Sequence, residues 1–572
     1  MLVCGIREGE LVEELSIEDF KSTLIDKVLY RPVQGANGTN LVPTLNFYIA
    51  KQGDEENSIR KLIKKIKQSL KGYQKKQKHP LFSEEALPAI QQKLEAIAPN
   101  LDAGTRYLFT VKLDGKWLGE YEENRELFEK EAYGKYHQKS KGKNKVCAVT
   151  YQPTEEVWGR VDTLGFTVND KAFSRNGFDV KQSYKMFPVS PEAVKVLEGT
   201  RKFAEDKMSH NFSGMKYFIV PHFIGADAET KEEVINLFID KAGLQPLSNK
   251  NSIIGTEETL HEIVEVEKLQ SGVYYDIFFY QPNNAQFLIK AHLQDVMPSR
   301  LRKIFGAKKA NEKAFGGLNR IHQKKKEPIE YYMNLYRVKP FFAQTAGTNT
   351  IFHPYFFTIV EAIFHGSPLQ KRTLFKYFVE AIQKAFLQRS ENASRFYSLT
   401  NQSFALYDFF IRLQLIPNQS IPLMENQQPI AKNWQDFLAE RAHFFESDYE
   451  KGVFLTGALT QKLIEVQRKA LNNEPFLNQL NGLRINEKLL EKLWPRLLNK
   501  MREYEMHNYT HVREMEAEAS RLLMSQDAGK RADLNDRLSY VFTLGMSLQR
   551  YFRSEEIAAY VAEKAAEKEA SI

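Results

Sequence analysis

The sequence predicts an α+β protein, a mixed N-terminal body followed by an all-α C-terminal helical bundle. Three observations carry this prediction. Strand-like runs with turn signals are confined to the first half. Helical periodicity dominates from His353 onward. A Pro/Asn/Gln-rich stretch, Ile416–Ile430, interrupts that periodicity. At 572 residues the chain is too long for one core, and a 42% hydrophobic, 12% aromatic composition excludes a disordered or low-complexity protein. Two cysteines, Cys4 and Cys147, exclude a disulfide framework. The N-terminus carries Glu8, Glu10, Glu13 and Glu14 instead of a basic, then apolar, leader, and no apolar run is long enough to span a bilayer. A soluble, cytoplasmic protein with no membrane partner is expected.

Taken in order, Thr44–Ala50 and Arg106–Leu113 read as strands, the second ending in the turn signal Asp114-Gly115. Tyr217–Gly225 reads as a strand interrupted by Pro221, and Val273–Leu293 as two strands joined at Pro-Asn-Asn. Helices are expected near Glu192–Met208 and Lys231–Ala242. Pro298-Ser299 looks like a helix start, and the run from Arg300 to Phe315 follows it. Beyond the linker, five amphipathic helices are expected, centred on Phe437–Ala470, Asn486–Glu505, His511–Met524, Leu534–Phe552 and Ser554–Ala570. The expected organisation is a mixed body at 1–297, a basic and helical region at 298–415, a linker at 416–430 and a bundle at 431–572.

Positive charge is concentrated. Arg60–Lys78 holds nine Lys/Arg and no acid, Lys135–Lys145 five and no acid, and Arg300–Lys326 ten with one acid, Glu312. The whole chain is only +8, so the remainder is net acidic. Each segment alone reads equally as a solvated face. Together they are the footprint of a polyanion partner, nucleic acid before an anionic membrane surface. In the first segment Ile59, Leu62, Ile63, Ile66 and Leu70 form one helical stripe, which leaves the cations outward.

Catalytic signatures are missing. There is no GxxxxGK[S/T], no HExxH and no GxSxG, and the twelve histidines show no metal-ligand spacing. No enzyme activity, cofactor or metal is expected. A nucleic-acid enzyme with a dispersed two-metal site remains an alternative, as does an unrelated RNA-binding scaffold.

Three stretches carry a family resemblance: Lys145–Phe203 followed by "YFIVPHF", "DVMPSRLRKIF" (Asp295–Phe305), and Phe454–Glu505 with "FLTGALTQKLIEVQ" and "LNGLRINEKLLEKLWPRLLNKMREYE". Together they resemble the large subunit of the type I-B CRISPR Cascade surveillance complex. The resemblance implies a non-catalytic subunit that works with a guide RNA. It would recognise the short PAM duplex beside the target in double-stranded DNA, promote R-loop formation and recruit a separate helicase-nuclease. The implied partners also include the backbone, capping and small subunits, with the C-terminal helices resembling the small subunit. Many members carry two zinc-binding Cys-x-x-Cys knuckles in the first stretch. The corresponding positions here are Cys147, Thr150, Ser190 and Ala193, which cannot supply four ligands. A degenerate knuckle at about 145–205 is therefore expected without metal, held by Tyr151, Trp158, Phe166 and Phe187.

The leading candidates for duplex binding are Arg300, Arg302, Lys303, Lys308, Lys309 and Lys313 for phosphates, with the loop Phe315–Lys326 beside them. There Gly316 and Gly317 permit close backbone approach, Asn319, Arg320 and Gln323 offer hydrogen bonds to base edges, and Lys324, Lys325 and Lys326 add charge. Secondary PAM candidates are Gln344, Gly347 and Asn349. The nucleic-acid backbone is expected against Arg60, Lys61, Lys64, Lys65, Lys67, Lys71, Lys75, Lys76 and Lys78, and against Lys135, Lys139, Lys141, Lys143 and Lys145. Met424, inside the linker, is a candidate internal start for a separate small subunit.

Overall fold

The computed structural model describes residues 1–7, 10–11, 15–30, 44–49, 55–74, 86–102, 104–130, 139–159, 161, 179–212, 215–225, 227–229, 231–232, 234–236, 272–283, 286–316, 318, 333–346, 349–392, 394–420, 429–525 and 535–570. The chain is α+β, with its sheets in the first half and helices dominating the second. It divides into two compact units, one of Met1–Asp206 with Pro282–Leu288, the other of Lys207–Gln281 with Ile289–Ile572.

The first unit is built on a sheet in which β1 (Leu2–Arg7) runs parallel to β5 (Arg106–Leu113). β4 (Leu45–Tyr48) pairs antiparallel with β5, and the two-residue strands β2 (Glu10–Leu11), β3 (Ser16–Ile17) and β6 (Lys116–Trp117) extend the edges. Side chains alternate along β1. Leu2, Cys4 and Ile6 meet helices α1 (Glu55–Gln74) and α2 (Ala86–Ile97), while Val3 packs with Val28 and Trp117 on the other face. Ile59, Leu62, Ile63 and Ile66 are the buried stripe of α1, as their spacing requires. Cys4 is a small core hydrophobe, its thiol pushed up to about 12 by burial.

A smaller module of the same unit consists of the hairpin β7 (Lys141–Val146) and β8 (Pro153–Trp158) with helix α4 (Pro191–Phe203); α3 (Glu122–Glu129) precedes it. At the positions of the expected knuckle the module closes on itself: Tyr151 N–H donates to Cys147 O at 2.9 Å, Ser190 N–H to Cys147 Sγ at 3.3 Å, and Ala193 N–H to Ser190 Oγ at 3.3 Å. Its small core is Cys147, Trp158, Val161, Val189, Ala193 and Val194, flanked by Phe187. One part of the expectation is corrected. Tyr151 does not pack there: it is 79% exposed. Phe166 lies outside the described residues.

In the second unit, β9 (Ser209–Phe212), β10 (Met215–Phe223), β11 (Val273–Asn283) and β12 (Gln286–Val296) form an antiparallel sheet in the order β12-β11-β10-β9. Pro221 does not interrupt β10. β9 pairs only as far as Phe218, so the missing N–H of Pro221 costs no ladder bond there. Tyr217, Ile219, Tyr275, Ile277, Phe279 and Leu293 join the large core of the unit. Helices α5 (Pro298–Phe315), α6 (Leu335–Phe342), α7 (Pro354–His365), α8 (Lys371–Leu387) and α9 (Arg395–Arg412) follow, with the hairpin β13 (Ala343–Ala346) and β14 (Asn349–Phe352) between α6 and α7.

Beyond residue 430 come α10 (Trp434–Glu440), α11 (Asp448–Leu471), α12 (Glu487–Glu503), α13 (Thr510–Leu523) and α14 (Asn535–Ala570). The two helices expected after residue 534 are one, and the expected Phe437–Ala470 helix is broken at 441–447, where Ser447 caps α11 by accepting from Glu450 N–H. α11 and α14 cross at glycines: a Cβ on Gly457 would meet the Phe542 carbonyl, and one on Gly545 the Phe454 carbonyl. The C-terminal helices do not have a core to themselves. α8, α9, α11 and α14 share one, and Ile416 and Ile430, the ends of the expected linker, are both buried in it. Between those ends, residues 421–428 lie outside the described residues. Glu450 and Arg537 form a buried ion pair at 3.0 Å, with the guanidinium 4.6 Å from the Phe375 ring centre and 4.4 Å from that of Phe444.

Candidate nucleic-acid interface

Helix α5 sorts its own basic residues. Leu301, Ile304, Ala307, Asn311, Ala314 and Phe315 are buried, which fixes its rotation. Ser299, Arg302, Lys303, Gly306, Lys309 and Lys313 are exposed and recur at helical spacing along one stripe. From Arg302 to Lys313 the stripe is about 16 Å long at 1.5 Å per residue. Gly306 sits within it, and a Cβ there would meet nothing within 4 Å.

Two of the six expected phosphate contacts are engaged inside the fold. Arg300 donates from Nε to Ile363 O at 2.8 Å, from Nη2 to Ala362 O at 3.3 Å and from Nη1 to Leu413 O at 3.4 Å. These carbonyls lie at the C-terminal ends of α7 and α9, where a cation also offsets the helix dipoles. Lys308 is 15% exposed, with Nζ 4.0 Å from Glu312, and its stem lines an apolar cavity with Leu301, Phe305, Met333 and Val338. The outward cations are Arg302, Lys303, Lys309 and Lys313; Lys303 Nζ donates to Gln414 Oε1 at 2.5 Å.

The loop expected to read bases begins where α5 ends. Gly316 continues the helix at φ −54, its N–H donating to Glu312 O at 2.9 Å, so no special backbone freedom is used there. Gly317, Asn319, Arg320, Gln323, Lys324, Lys325 and Lys326 lie outside the described residues. The flanking positions are anchored: Leu318 and Met333 are buried, and Met333 N–H donates to Glu312 Oε1 at 2.8 Å. Of the secondary candidates, Gln344 is exposed on β13 opposite Ile351, Asn349 is opposite Ala346 in β14, and Gly347 lies outside the described residues.

In the first unit Arg60, Lys61, Lys64, Lys65 and Lys67 are all exposed on α1, as expected. Arg60 is 3.6 Å from Glu56, and Lys65 Nζ donates to Asn46 O at 3.3 Å. Lys71 is on the same helix, while Lys75, Lys76, Lys78 and Lys135 lie outside the described residues. In the Lys135–Lys145 segment, Lys141, Lys143 and Lys145 are exposed residues of β7, Lys141 paired with Glu156 at 3.2 Å, and Lys139 is exposed just before it. Met424 is also outside the described residues.

The zinc site that the family resemblance implies does not fit these residues. Of its four positions Cys147 supplies one thiolate, Ser190 and Thr150 hydroxyls, and Ala193 nothing. Burial pushes the Cys147 thiol up, but hydrogen bonds from Thr150 and the N–H groups of Ser190 and Val149 outweigh it and bring it down to about 6. Among the described residues no group of three or more His, Cys, Asp or Glu could hold a metal ion, and no helix is long and apolar enough to cross a membrane.

Comparison with curated proteins finds no match. Comparison with protein families finds two, and they are parts of one family. Residues 144–296, from the knuckle to the end of β12, match the central domain of the CRISPR-associated protein TM1802 family, and residues 333–558, from α6 into α14, match its C-terminal domain. The matches together cover about two thirds of the chain. The chain therefore belongs to the CRISPR-associated protein TM1802 family, and its role lies in CRISPR defence.

Proposed function

We propose that this chain is the non-catalytic large subunit of a type I-B Cascade-type complex, acting with a guide RNA on double-stranded DNA. It grips the PAM duplex beside the target, promotes R-loop formation, and recruits a helicase-nuclease, alongside backbone, capping and small subunits. The observation that carries this reading is the α5 stripe. Four cations face solvent along about 16 Å of one helix, interrupted by a glycine, and the helix leads into the Gly-, Asn-, Gln- and Lys-rich segment 316–326. Phosphate contacts from such a stripe fix register on a duplex, and the adjoining segment supplies side chains suited to base edges. Absence of catalytic signatures in the sequence supports a binding rather than a chemical role.

The test is binding of labelled duplex by the purified guide-RNA complex, with and without the flanking motif. The proposal expects motif-dependent affinity that falls when Asn319 or Gln323 is replaced by Ala. It expects no cleavage when divalent ions are added without the helicase-nuclease. Divalent-dependent cleavage by the purified chain overturns the non-catalytic reading. Motif-independent binding of RNA alone favours an RNA scaffold instead.

A further inference from the structure

We infer that the knuckle tip is a binding surface for unpaired nucleotides, with Tyr151 as a stacking platform and Lys143 and Lys145 as its phosphate contacts. The inference rests on the reading of this chain as a nucleic-acid-binding subunit and adds a second, chemically different contact to it.

Tyr151 is anomalous as a folding residue. Its φ is +56, in the left-handed region that costs an L-residue with a bulky side chain roughly 1–2 kcal/mol. Glycine or asparagine would occupy that position at less cost. Nor does packing offset the cost, since the ring is 79% exposed and absent from the module's core. Both the backbone and the burial of this position therefore favour another residue.

The loop that carries the ring is rigid. Cys147 N–H donates to Gln152 O at 2.9 Å, Tyr151 N–H to Cys147 O at 2.9 Å, and Ala148 N–H to Pro188 O at 2.7 Å, while Cys147 Sγ accepts from Ser190 N–H. An aromatic ring held out on such a loop loses little freedom when a base stacks on it. Val149, also at the tip, is 38% exposed and extends the apolar surface.

Charge decides what kind of partner fits. The strand entering the loop carries Lys143 and Lys145, both exposed, on the same face as Glu156 and Thr154 of its neighbour, and Lys139 is exposed nearby. An exposed π-face beside cations suits a strand whose bases are unstacked, because a duplex hides its base faces. Guide RNA and a displaced DNA strand share this chemistry.

The test uses the full-length chain and fluorescence anisotropy with labelled dT20, U20 and a 20-base-pair duplex. Tyr151→Ala should weaken the single strands roughly 5- to 100-fold, the range of one base–aromatic stack, with the duplex unchanged. Tyr151→Phe keeps the π-face and should stay within about threefold of wild type. Tyr151→Gly should lower single-strand affinity while holding or raising the melting temperature, which separates loss of binding from loss of folding. Lys143→Ala and Lys145→Ala should each reduce the single-strand salt slope by about 0.7. A larger loss on U20 than on dT20 supports the surface and assigns it to RNA; the reverse supports it and assigns it to DNA. If Tyr151→Ala binds dT20 and U20 like wild type while wild type binds duplex, this inference fails and the proposed function stands. If wild type and its guide-RNA complex bind neither form, both fail. Equal weakening on single strand and duplex also overturns the stacking role.

Discussion

Replacing Arg302, Lys309 and Lys313 together with Ala tests the α5 stripe on a measurable magnitude. If each cation neutralises one phosphate, the slope of log affinity against log salt falls by about 0.9 per contact, or about 2.7 for three. Between 50 and 200 mM salt the wild type should then lose about forty-fold more affinity than the variant does, a difference of about 2.2 kcal/mol. The geometry supports three simultaneous contacts, because about 16 Å of helix matches roughly five phosphate steps at 3.4 Å along one strand's axis. The control follows from the same helix. Arg300 bonds three backbone carbonyls inside the fold, so Arg300→Ala should lower the melting temperature and leave the salt slope within about 0.3 of wild type. The assay is anisotropy titration of PAM-containing duplex with the guide-RNA complex at four salt concentrations. An unchanged slope in the triple variant would refute the assignment of this face to DNA, and a slope lowered as much by Arg300→Ala would refute the sorting of inward from outward cations.

Gly306→Ala should raise stability by up to about 1 kcal/mol in urea unfolding, because the new methyl meets open space and a helix interior disfavours glycine; in the same variant duplex affinity should fall if a phosphate backbone approaches there. Glu450→Gln leaves Arg537 charged and buried between two rings, both partners of that pair being under 5% exposed, and should cost about 3–5 kcal/mol by the same measurement. His443 is held down to about 4, first by burial and then by the Arg441 charge, with Arg412 opposing and Asp408 favouring the proton. The unfolded chain therefore binds a proton that the folded one refuses between about pH 6.5 and 4, so stability falls as pH drops through that window. The loss is at most about 3–3.5 kcal/mol before solvent screening, which lowers it, and His443→Gln should flatten the melting temperature across it.

Local pattern and distant partners divide what was legible. Arg106–Leu113 was readable to the residue because alternation, β-branched residues and a terminal Asp-Gly coincide in it. β1 was not, since Leu2–Arg7 is a short apolar run carrying a glycine, and five of its residues are paired in parallel with a strand a hundred residues away. β7 reads Lys-Gly-Lys-Asn-Lys-Val, a loop composition, yet pairing with Pro153–Trp158 makes it a strand. On α5 the 3.6-residue period was visible, and Asn311, buried against Ala405 O and Asp408, fits it. Which cations turn inward was not visible, because the carbonyls that hold Arg300 lie 62 to 113 residues further on.

The shared C-terminal core changes what a separate small subunit starting at Met424 would have to do. Such a fragment has roughly 150 residues, an ordinary domain size, and retains α11 with α13 and α14, both of which pack on it. It loses α8 and α9. The Phe375 ring lies 4.9 Å from that of Tyr540, tilted against it, and covers Arg537, and Tyr397 donates to Gln461 Oε1 at 2.6 Å. Ser547 Oγ lies 3.2 Å from Tyr397 O and 2.7 Å from Asn401 Oδ1. Without those helices the fragment exposes an apolar face with a buried cation and amide groups in it, a surface that associates unless covered. The expected outcome has two parts. Residues 424–572 expressed alone should bind a hydrophobic dye or self-associate, whereas the same fragment in the purified complex should be protected. Met424→Leu in the full-length gene should abolish the small band from the complex while full-length chain remains. A band that persists points to cleavage or another start. A fragment that is monomeric, dye-free and cooperatively melting in isolation would show that α8 and α9 are dispensable to this core, against the packing argued here.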